Sequence, residues 1–231
     1  LYIPDNDKLW RLLDNLPSGL EQCGDYAKFL LHSISVKRWL DDLDDWGWAR
    51  LNSDILRQSI PNRVLTHVKG FLHGAGVLEL TRYTQGVRST GYKLHRAFDG
   101  PPMRVILTNS GLVRKRLAWR ESYGKPNIPA LTQVIQQRLA VLDQMKSALN
   151  RLSLTDPVKD LVRELRGEGV NVDHVRLVYS MISHNNHDGV KVDPFGYRVH
   201  SIITRTASAI RPFLRLGGQE LTELDVTNAQ P

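Results

Sequence analysis

An acidic residue near the end of the chain stands where metal ligands are often found. The segment GGQELTELDVTN predicts a hairpin whose second strand ends at Asp225, with small polar residues after it. Carboxylates delivered at strand ends are common ligands for Mg²⁺, which activates oxygen nucleophiles and stabilises phosphate charge. Taken alone, the residue fits a turn or cap aspartate better than a metal ligand.

Positive charge concentrates in one third of the chain. The 231 residues carry a formal net charge of +7, from 31 Lys+Arg and 24 Asp+Glu. Residues 51–130 hold 13 basic and 4 acidic residues, whereas residues 1–50 hold 6 and 9, and residues 131–231 hold 12 and 11. A concentrated basic segment predicts a polyanion-binding surface, and nucleic acid is the usual partner for such a surface.

The elements that would position these charges are clearest in residues 51–99. Ser53 is placed to cap a short helix, DILRQSI, which stops before Pro61, and a second helix, RVLTHVKGFLHGAG, follows it. The segments VLELTRYT and GYKLHRAF alternate as strands on either side of the turn TQGVRST. This order resembles the winged helix-turn-helix family over about 45 positions, which implies DNA binding through the second helix.

The winged-helix interpretation divides the second helix into an inner apolar face and an outer basic face. The inner positions would be Val64, Leu65, Val68, Phe71 and Leu72. The nucleic-acid contacts would be Arg63, His67 and Lys69 on this helix, Arg57 on the preceding helix, and Arg82, Arg88 and Lys93 on the hairpin. Winged helices also serve as protein–protein modules, so a protein partner is the alternative.

Helices are predicted on both sides of this region. The opening stretch predicts three helices, KLWRLLDNL, GLEQCGDYAKFLLHS and VKRWLDDLDDWGWA. The tryptophans of the third helix would be core or interface anchors: Trp39, Trp46 and Trp48. Its acidic residues would form a solvated face: Asp41, Asp42, Asp44 and Asp45. After the hairpin, the cluster Arg114, Lys115 and Arg116 fits either a phosphate-tracking surface or a solvated helix face. The segments ALTQVIQQRLAVLDQMKSALNRLSL and VKDLVRELRGEG then predict a helical linker or thumb-like region.

The last forty residues resemble a family of polymerases. They contain D-x-x-G-x-R-x-H from Asp193, a further Arg about a dozen residues on, and a hairpin that ends in D-x-x-N-A-Q-P. This pattern is similar to the transposon and virus polymerases (TV-Pol), which are related to family A DNA polymerases and phage-type single-subunit RNA polymerases. The resemblance implies that Asp193, Gly196 and Arg198 match a D-x-x-G-R segment, and that Asp225 is a catalytic, metal-binding aspartate with Gln230 as the polar residue that follows it.

The resemblance also implies the chemistry and the partners. Mg²⁺-dependent nucleotidyl transfer would act on nucleoside triphosphates along DNA or a DNA/RNA hybrid. Arg198, Arg211 and Arg215 would hold template or primer phosphates. In the simpler interpretation these three arginines lie on a helix or strand surface and pair with Glu220 or Glu223. Because Asp225 supplies only one carboxylate, the rest of a longer polypeptide is expected to complete the site.

Together these patterns predict a mainly α protein with small β-hairpins, of the α+β class. Its regions would be a helical segment (1–50), a winged helix-turn-helix (51–100), a helical linker (101–189) and the start of a polymerase palm (190–231). The rival function is a non-catalytic replication initiator or transcriptional regulator.

No apolar run reaches the roughly 18 residues of a membrane span. The single Cys23 excludes an internal disulfide, so a reduced setting, the cytoplasm of a bacterial or phage-infected cell, is expected.

Overall fold

The chain folds into two units, Leu1–Ser122 and Tyr123–Pro231. The structure is a computed structural model that describes residues 1–40, 42–81, 89–122, 133–155, 158–165, 169–185, 190–192 and 199–221. Helices and short antiparallel strands make up both units, which confirms the mixed α+β class. The division into four regions stays a prediction.

The first unit contains five helices and five strands within the described ranges. The helices are α1 (Asp7–Asp14), α2 (Gly24–Trp39), α3 (Ser53–Ser59), α4 (Asn62–Gly74) and α5 (Ser110–Ser122). The strands are β1 (Tyr2–Pro4), β2 (Ala49–Arg50), β3 (Leu78–Leu80), β4 (Gly91–Leu94) and β5 (Pro102–Arg104). Short 3-10 turns occupy Glu21–Cys23 and Arg96–Phe98.

Local chemistry explains where α3 and α4 begin and end. The side chain of Asn52, rather than that of Ser53, caps α3 by accepting a hydrogen bond from the Asp54 amide. The helix ends as predicted before Pro61, because a proline disfavours helical backbone at the residue that precedes it, and Ile60 is extended. Only two residues, Ile60 and Pro61, therefore separate α3 from α4.

The three-stranded sheet of the first unit has the order β2-β4-β3, with all pairs antiparallel. Leu78 faces Leu94 and Leu80 faces Tyr92 across β3 and β4, while Ala49 faces Tyr92 across β2 and β4. A second, two-stranded sheet joins β1 to β5. The three-stranded sheet therefore pairs β2, just before α3, with β4, the second of the two strands that follow α4.

The core of the first unit is built around α2. This helix packs against β1, α4 and β4. The fully or almost fully buried side chains include Leu30, Leu31, Ile34, Leu65, Val68, Leu72, Leu78 and Tyr92. Burying each large apolar side chain contributes about 1.5–3 kcal/mol, so this core is the main stabilising feature that holds α4 in place.

The prediction of a separate helix over VKRWLDDLDDWGWA is wrong. The helix α2 runs without a break through the predicted boundary and ends at Trp39. Beyond it, the Asp44 Oδ1 atom accepts hydrogen bonds from the amides of Trp46 and Trp48, which makes a turn in place of a helix. Trp39 is fully buried as predicted, whereas Trp46 is 76% exposed.

The second unit contains four helices and five strands within the described ranges. The helices are α6 (Gln133–Leu149), α7 (Val158–Leu165), α8 (Val172–Ser183) and α9 (Ile202–Arg205). The strands are β6 (Leu152–Leu154), β7 (Lys191–Val192), β8 (Val199–His200), β9 (Leu214–Leu216) and β10 (Gln219–Glu220), and Ser208–Phe213 forms a 3-10 turn. The sheet order β10-β9-β6 and the pair β7-β8 are antiparallel.

The turn between β9 and β10 depends on two glycines. Gly217 and Gly218 have φ angles of 58° and 82°, a left-handed conformation that glycine adopts without a steric penalty. Two such residues in a row give the turn that suits the twist of a tight hairpin. The observed hairpin pairs β9 with β10 and turns at the two glycines that begin the segment GGQELTELDVTN. The strand predicted to end at Asp225 lies outside the described residues.

Candidate nucleic-acid interface

The helix α4 has the buried apolar face that its sequence predicts. Leu65, Val68 and Leu72 are buried, and Val64 and Phe71 are half-buried against the same core. Their three- and four-residue spacing places them on one side of an α-helix. The opposite side of α4 is therefore available for contacts outside the unit.

Arg63 and His67 lie on this outer side. Both are exposed, and neither makes a hydrogen bond or an ion pair with any described residue. They are four residues apart, so they are neighbours on one face and lie in the first two turns of α4. Thr66 is exposed between them, with its hydroxyl bonded back to the Asn62 carbonyl oxygen at 3.0 Å.

The sequence predicts Lys69 on the outer side beside Arg63 and His67, but this residue is half-buried. Its Nζ atom lies 5.7 Å from the centroid of the Tyr92 ring on β4. Burial lowers the pKa of Lys69 below its ordinary value, and the positive charge of Arg57 lowers it further. Lys69 is half-buried because it follows Val68 directly and lies four residues after Leu65. This position places the apolar stem of the lysine along the edge of the buried face of α4.

Tyr92 is the residue on which Lys69 rests. It is fully buried, and its hydroxyl has no hydrogen-bond partner among the described residues. Burial raises the pKa of Tyr92 to about 12, while the positive charge of Arg57 opposes that rise. The ring therefore gives Lys69 an electron-rich face and stays neutral at physiological pH.

Arg57 connects α3 to the start of α4. It is exposed, its Nε atom donates to Asn62 Oδ1 at 3.2 Å, and its Nη1 atom donates to Asp54 Oδ1 at 3.2 Å. Exposed ion pairs of this kind contribute at most about 1 kcal/mol. Such a weak pairing leaves Arg57 able to exchange Asp54 for a phosphate at little cost.

Lys93 is the described basic residue of the β3–β4 hairpin. It is exposed, and its Nζ atom lies 5.6 Å from the centroid of the Trp48 ring. Since Trp48 comes just before β2, this contact spans two strands of the sheet. Arg82 and Arg88, the other predicted contacts of the hairpin, lie outside the described residues.

Arg50 joins the end of β3 to the start of β4, on either side of the segment that connects the two strands. Its Nε atom donates to Asp44 Oδ2 at 2.6 Å, and its Nη1 atom donates to Thr81 Oγ1 at 2.9 Å and to the Ser89 carbonyl oxygen at 3.1 Å. The Thr81 hydroxyl oxygen also accepts the Gly91 amide at 2.8 Å. Sequence analysis missed this network, because nothing in the local pattern joins residues so far apart in the chain.

The basic cluster on α5 is divided between two roles. Arg116 is half-buried, with its guanidinium carbon 5.4 Å from the centroid of the Phe29 ring on α2. Arg114 and Lys115 are exposed and make no ion pair with any described residue. Arg116 therefore anchors α5 to α2, whereas Arg114 and Lys115 remain exposed to solvent.

The predicted catalytic residues lie outside the described residues. These are Arg198, Asp225 and Gln230, and with them Asp193 and Gly196 of the D-x-x-G-R segment. Within the described ranges, no group of three or more His, Cys, Asp or Glu side chains is placed to hold a metal ion. The magnesium site at Asp225 stays a prediction.

Two arginines assigned to phosphate binding are described in the second unit. Arg215 pairs with Glu220 Oε1 at 2.9 Å, as the simpler interpretation of the sequence predicts. It also donates to the Pro212 and Leu214 carbonyl oxygens. Arg211 is half-buried, and its Nε atom donates to the Thr206 carbonyl oxygen at 3.2 Å. Arg215 is therefore occupied within its own hairpin.

Comparison of this chain with known protein families, with curated proteins and with solved structures found no match. In the part of the chain that the structure describes, no helix is both long enough and apolar enough to cross a membrane.

Proposed function

We propose that the first unit binds double-stranded DNA as a winged helix-turn-helix module. The observation that carries the proposal is α4, whose apolar face is buried while Arg63 and His67 stand exposed on the other side. The element order α2-β2-α3-α4-β3-β4 and the sheet order β2-β4-β3 support it. In modules of this kind the second helix of the pair enters the major groove.

Each exposed cation has a role in this proposal. Arg63, in the first turn of α4, is the residue to reach base edges, where arginine pairs with guanine through two hydrogen bonds. His67 lies one turn further along the same face. Arg57 on α3 and Lys93 on β4 neutralise backbone phosphates on either side.

DNA is favoured over a protein partner by the kind of surface that α4 presents. The exposed side carries cations and small polar residues, whereas the core of a protein–protein interface is poor in charged residues. The excess of 13 basic over 4 acidic residues in positions 51–130 supports the same choice.

The experiment is equilibrium binding of a fluorescent duplex at several salt concentrations. Replacing Arg63 by Gln is expected to cost about 1–3 kcal/mol of binding free energy, and the double change Arg63→Gln, His67→Gln more. The matched control is Lys8→Gln, Arg11→Gln, which removes two exposed cations from α1, a helix that packs on α2. Equal losses in the two double variants would show that net charge alone attracts DNA, and would contradict binding by α4.

We further propose, from the sequence pattern of residues 193–231, that a protein carrying this chain is a Mg²⁺-dependent nucleotidyltransferase, a DNA or RNA polymerase of a mobile element or phage. Asp225 would hold the metal, which would supply activation of a 3′ hydroxyl and stabilisation of the charge on the leaving pyrophosphate. Arg198 would approach the nucleic acid near it, and Gln230 would be the polar residue that follows the catalytic aspartate. Nucleoside triphosphates would be the substrates, and the cytoplasm of a bacterial or phage-infected cell the location.

Primer extension in Mg²⁺ by the protein that carries these residues tests this second proposal. Incorporation that disappears on Asp225→Asn, with duplex binding unchanged, is the expected result. A protein that binds DNA but incorporates no nucleotide would contradict the polymerase and leave the replication initiator or regulator as the function of the winged helix.

A further inference from the structure

The helix α5 presents a second basic surface beside the α3–α4 pair. Arg114 and Lys115 are exposed and lack an acidic partner among the described residues, while Arg63 and His67 stand on a different helix. Unpaired cations on an ordered helix gain from a partner that supplies negative charge, because they give up no existing ion pair to bind it.

The start of α5 is fixed by a buried carboxylate. The Asp25 Oδ2 atom on α2 accepts hydrogen bonds from the Thr108 amide at 2.6 Å, the Thr108 hydroxyl at 3.1 Å and the Asn109 amide at 2.6 Å. Asn109 Oδ1 in turn accepts the Leu112 amide at 2.8 Å, and Leu112 is fully buried. Together with the contact of Arg116 on Phe29, these bonds give α5 a defined place.

That place is next to the helix-turn-helix. The helix α5 packs against α3, which carries Arg57 and leads directly into α4. In helix-turn-helix proteins the first helix of the pair crosses the DNA backbone while the second lies in the groove. A basic helix beside α3 therefore lies at the flank of the groove that α4 enters.

We propose that α5 is a second DNA-contacting element, which binds backbone phosphates beside the α4 site through Arg114 and Lys115. The proposal rests on the proposed DNA binding by α4. A helix of 13 residues is about 20 Å long, which corresponds to about six base pairs of duplex. The element lengthens the bound segment of DNA and adds affinity that does not depend on base sequence.

The experiment compares two lengths of duplex, about one and about two helical turns, with the intact chain. Arg114→Gln, Lys115→Gln is expected to weaken binding to the long duplex about tenfold and to reduce its salt slope by about 2. Binding to the short duplex, which α4 occupies together with Arg57 and Lys93, is expected to change less than about twofold. The control is again Lys8→Gln, Arg11→Gln, with the same loss of charge on α1.

The outcomes separate this inference from the function on which it rests. If the α5 variant behaves like the α1 control on both duplexes while Arg63→Gln still weakens binding, α5 is not a DNA contact and the inference is overturned. The same result would leave α5 to a protein partner, for which Ile55 on α3 (48% exposed) and Leu117 on α5 (52% exposed) supply apolar surface. If the unaltered chain binds neither duplex, the proposed function fails and the inference fails with it.

Discussion

Arg50 shows how one half-buried guanidinium joins three segments of the chain. It contacts Asp44 before β2, Thr81 after β3 and Ser89 before β4. These contacts require a glycine at position 91, because a Cβ atom there would lie 2.7 Å from both Arg50 Nη1 and Thr81 Oγ1. The network therefore fixes Thr81 and Ser89, the described residues on either side of the predicted wing.

At this scale we predict that Gly91→Ala lowers the free energy of unfolding by about 1–3 kcal/mol, since the guanidinium must give up bonds to make room. The matched control is Gly70→Ala on the exposed side of α4, where a Cβ atom meets nothing within 4 Å. That change is expected to stabilise the protein by up to about 1 kcal/mol. Urea unfolding of both variants measures the difference, and equal effects would contradict the tight fit at Gly91.

A second residue-scale prediction concerns pH. Desolvation alone would raise the pKa of Asp44, but hydrogen bonds from the Trp48 and Trp46 amides and from Arg50, together with the Arg50 charge, lower it below the ordinary value of 3.8. Because the folded pKa lies below the unfolded one, the stabilisation by this carboxylate is complete above pH 3.8 and is lost as the pH falls through the folded value.

The stability difference between the unaltered chain and Asp44→Asn should therefore be constant near neutral pH and shrink in acid. Unfolding free energies measured across this range provide the test. Asp45→Asn, which removes an exposed carboxylate from the same turn, is the control. A difference that stays constant down to the lowest pH would show that the charge of Asp44 contributes nothing.

At the scale of elements, α5 depends on a carboxylate that belongs to α2. Asp25 is 7% exposed and accepts the amides of Thr108 and Asn109 just before α5 begins. We predict that Asp25→Ala lowers the free energy of unfolding by about 3 kcal/mol, because it removes the shared acceptor of two part-buried amides and leaves them unpaired. Asp42→Ala, which removes an exposed partner of Lys37, is expected to cost at most about 1 kcal/mol. Thermal unfolding compares the two, and equal losses would contradict the role of Asp25.

The sequence predicts the buried face of a helix better than it predicts turns or contacts between elements. The three- and four-residue spacing of Leu65, Val68 and Leu72 identified the buried face of α4, because that face is a local property of the helix. The same reasoning extended a helix over Asp44, where side-chain bonds to backbone amides favour a turn. It also placed Lys69 outside, although the Tyr92 ring that holds it comes from a strand 23 positions later.

At the scale of the whole molecule, contacts between distant parts of the chain were the least predictable. The strands β1 and β5 pair although about a hundred residues separate them, and both contain a proline, so neither shows an alternating pattern. The two units also differ in charge, since the excess of basic residues falls mainly within the first. This distribution leads us to expect the first unit to be the one that binds DNA.

One measurement tests that central claim most directly. Titrating a short duplex into the isotope-labelled intact chain at low salt, and following the backbone amide signals by NMR, maps the residues that contact DNA. The account predicts that the largest shifts fall on the exposed side of α4, at Arg63, Thr66 and His67, and that α1 and the β1–β5 sheet change little. Shifts centred on α1 or on the second unit, or no shift at all, would contradict it.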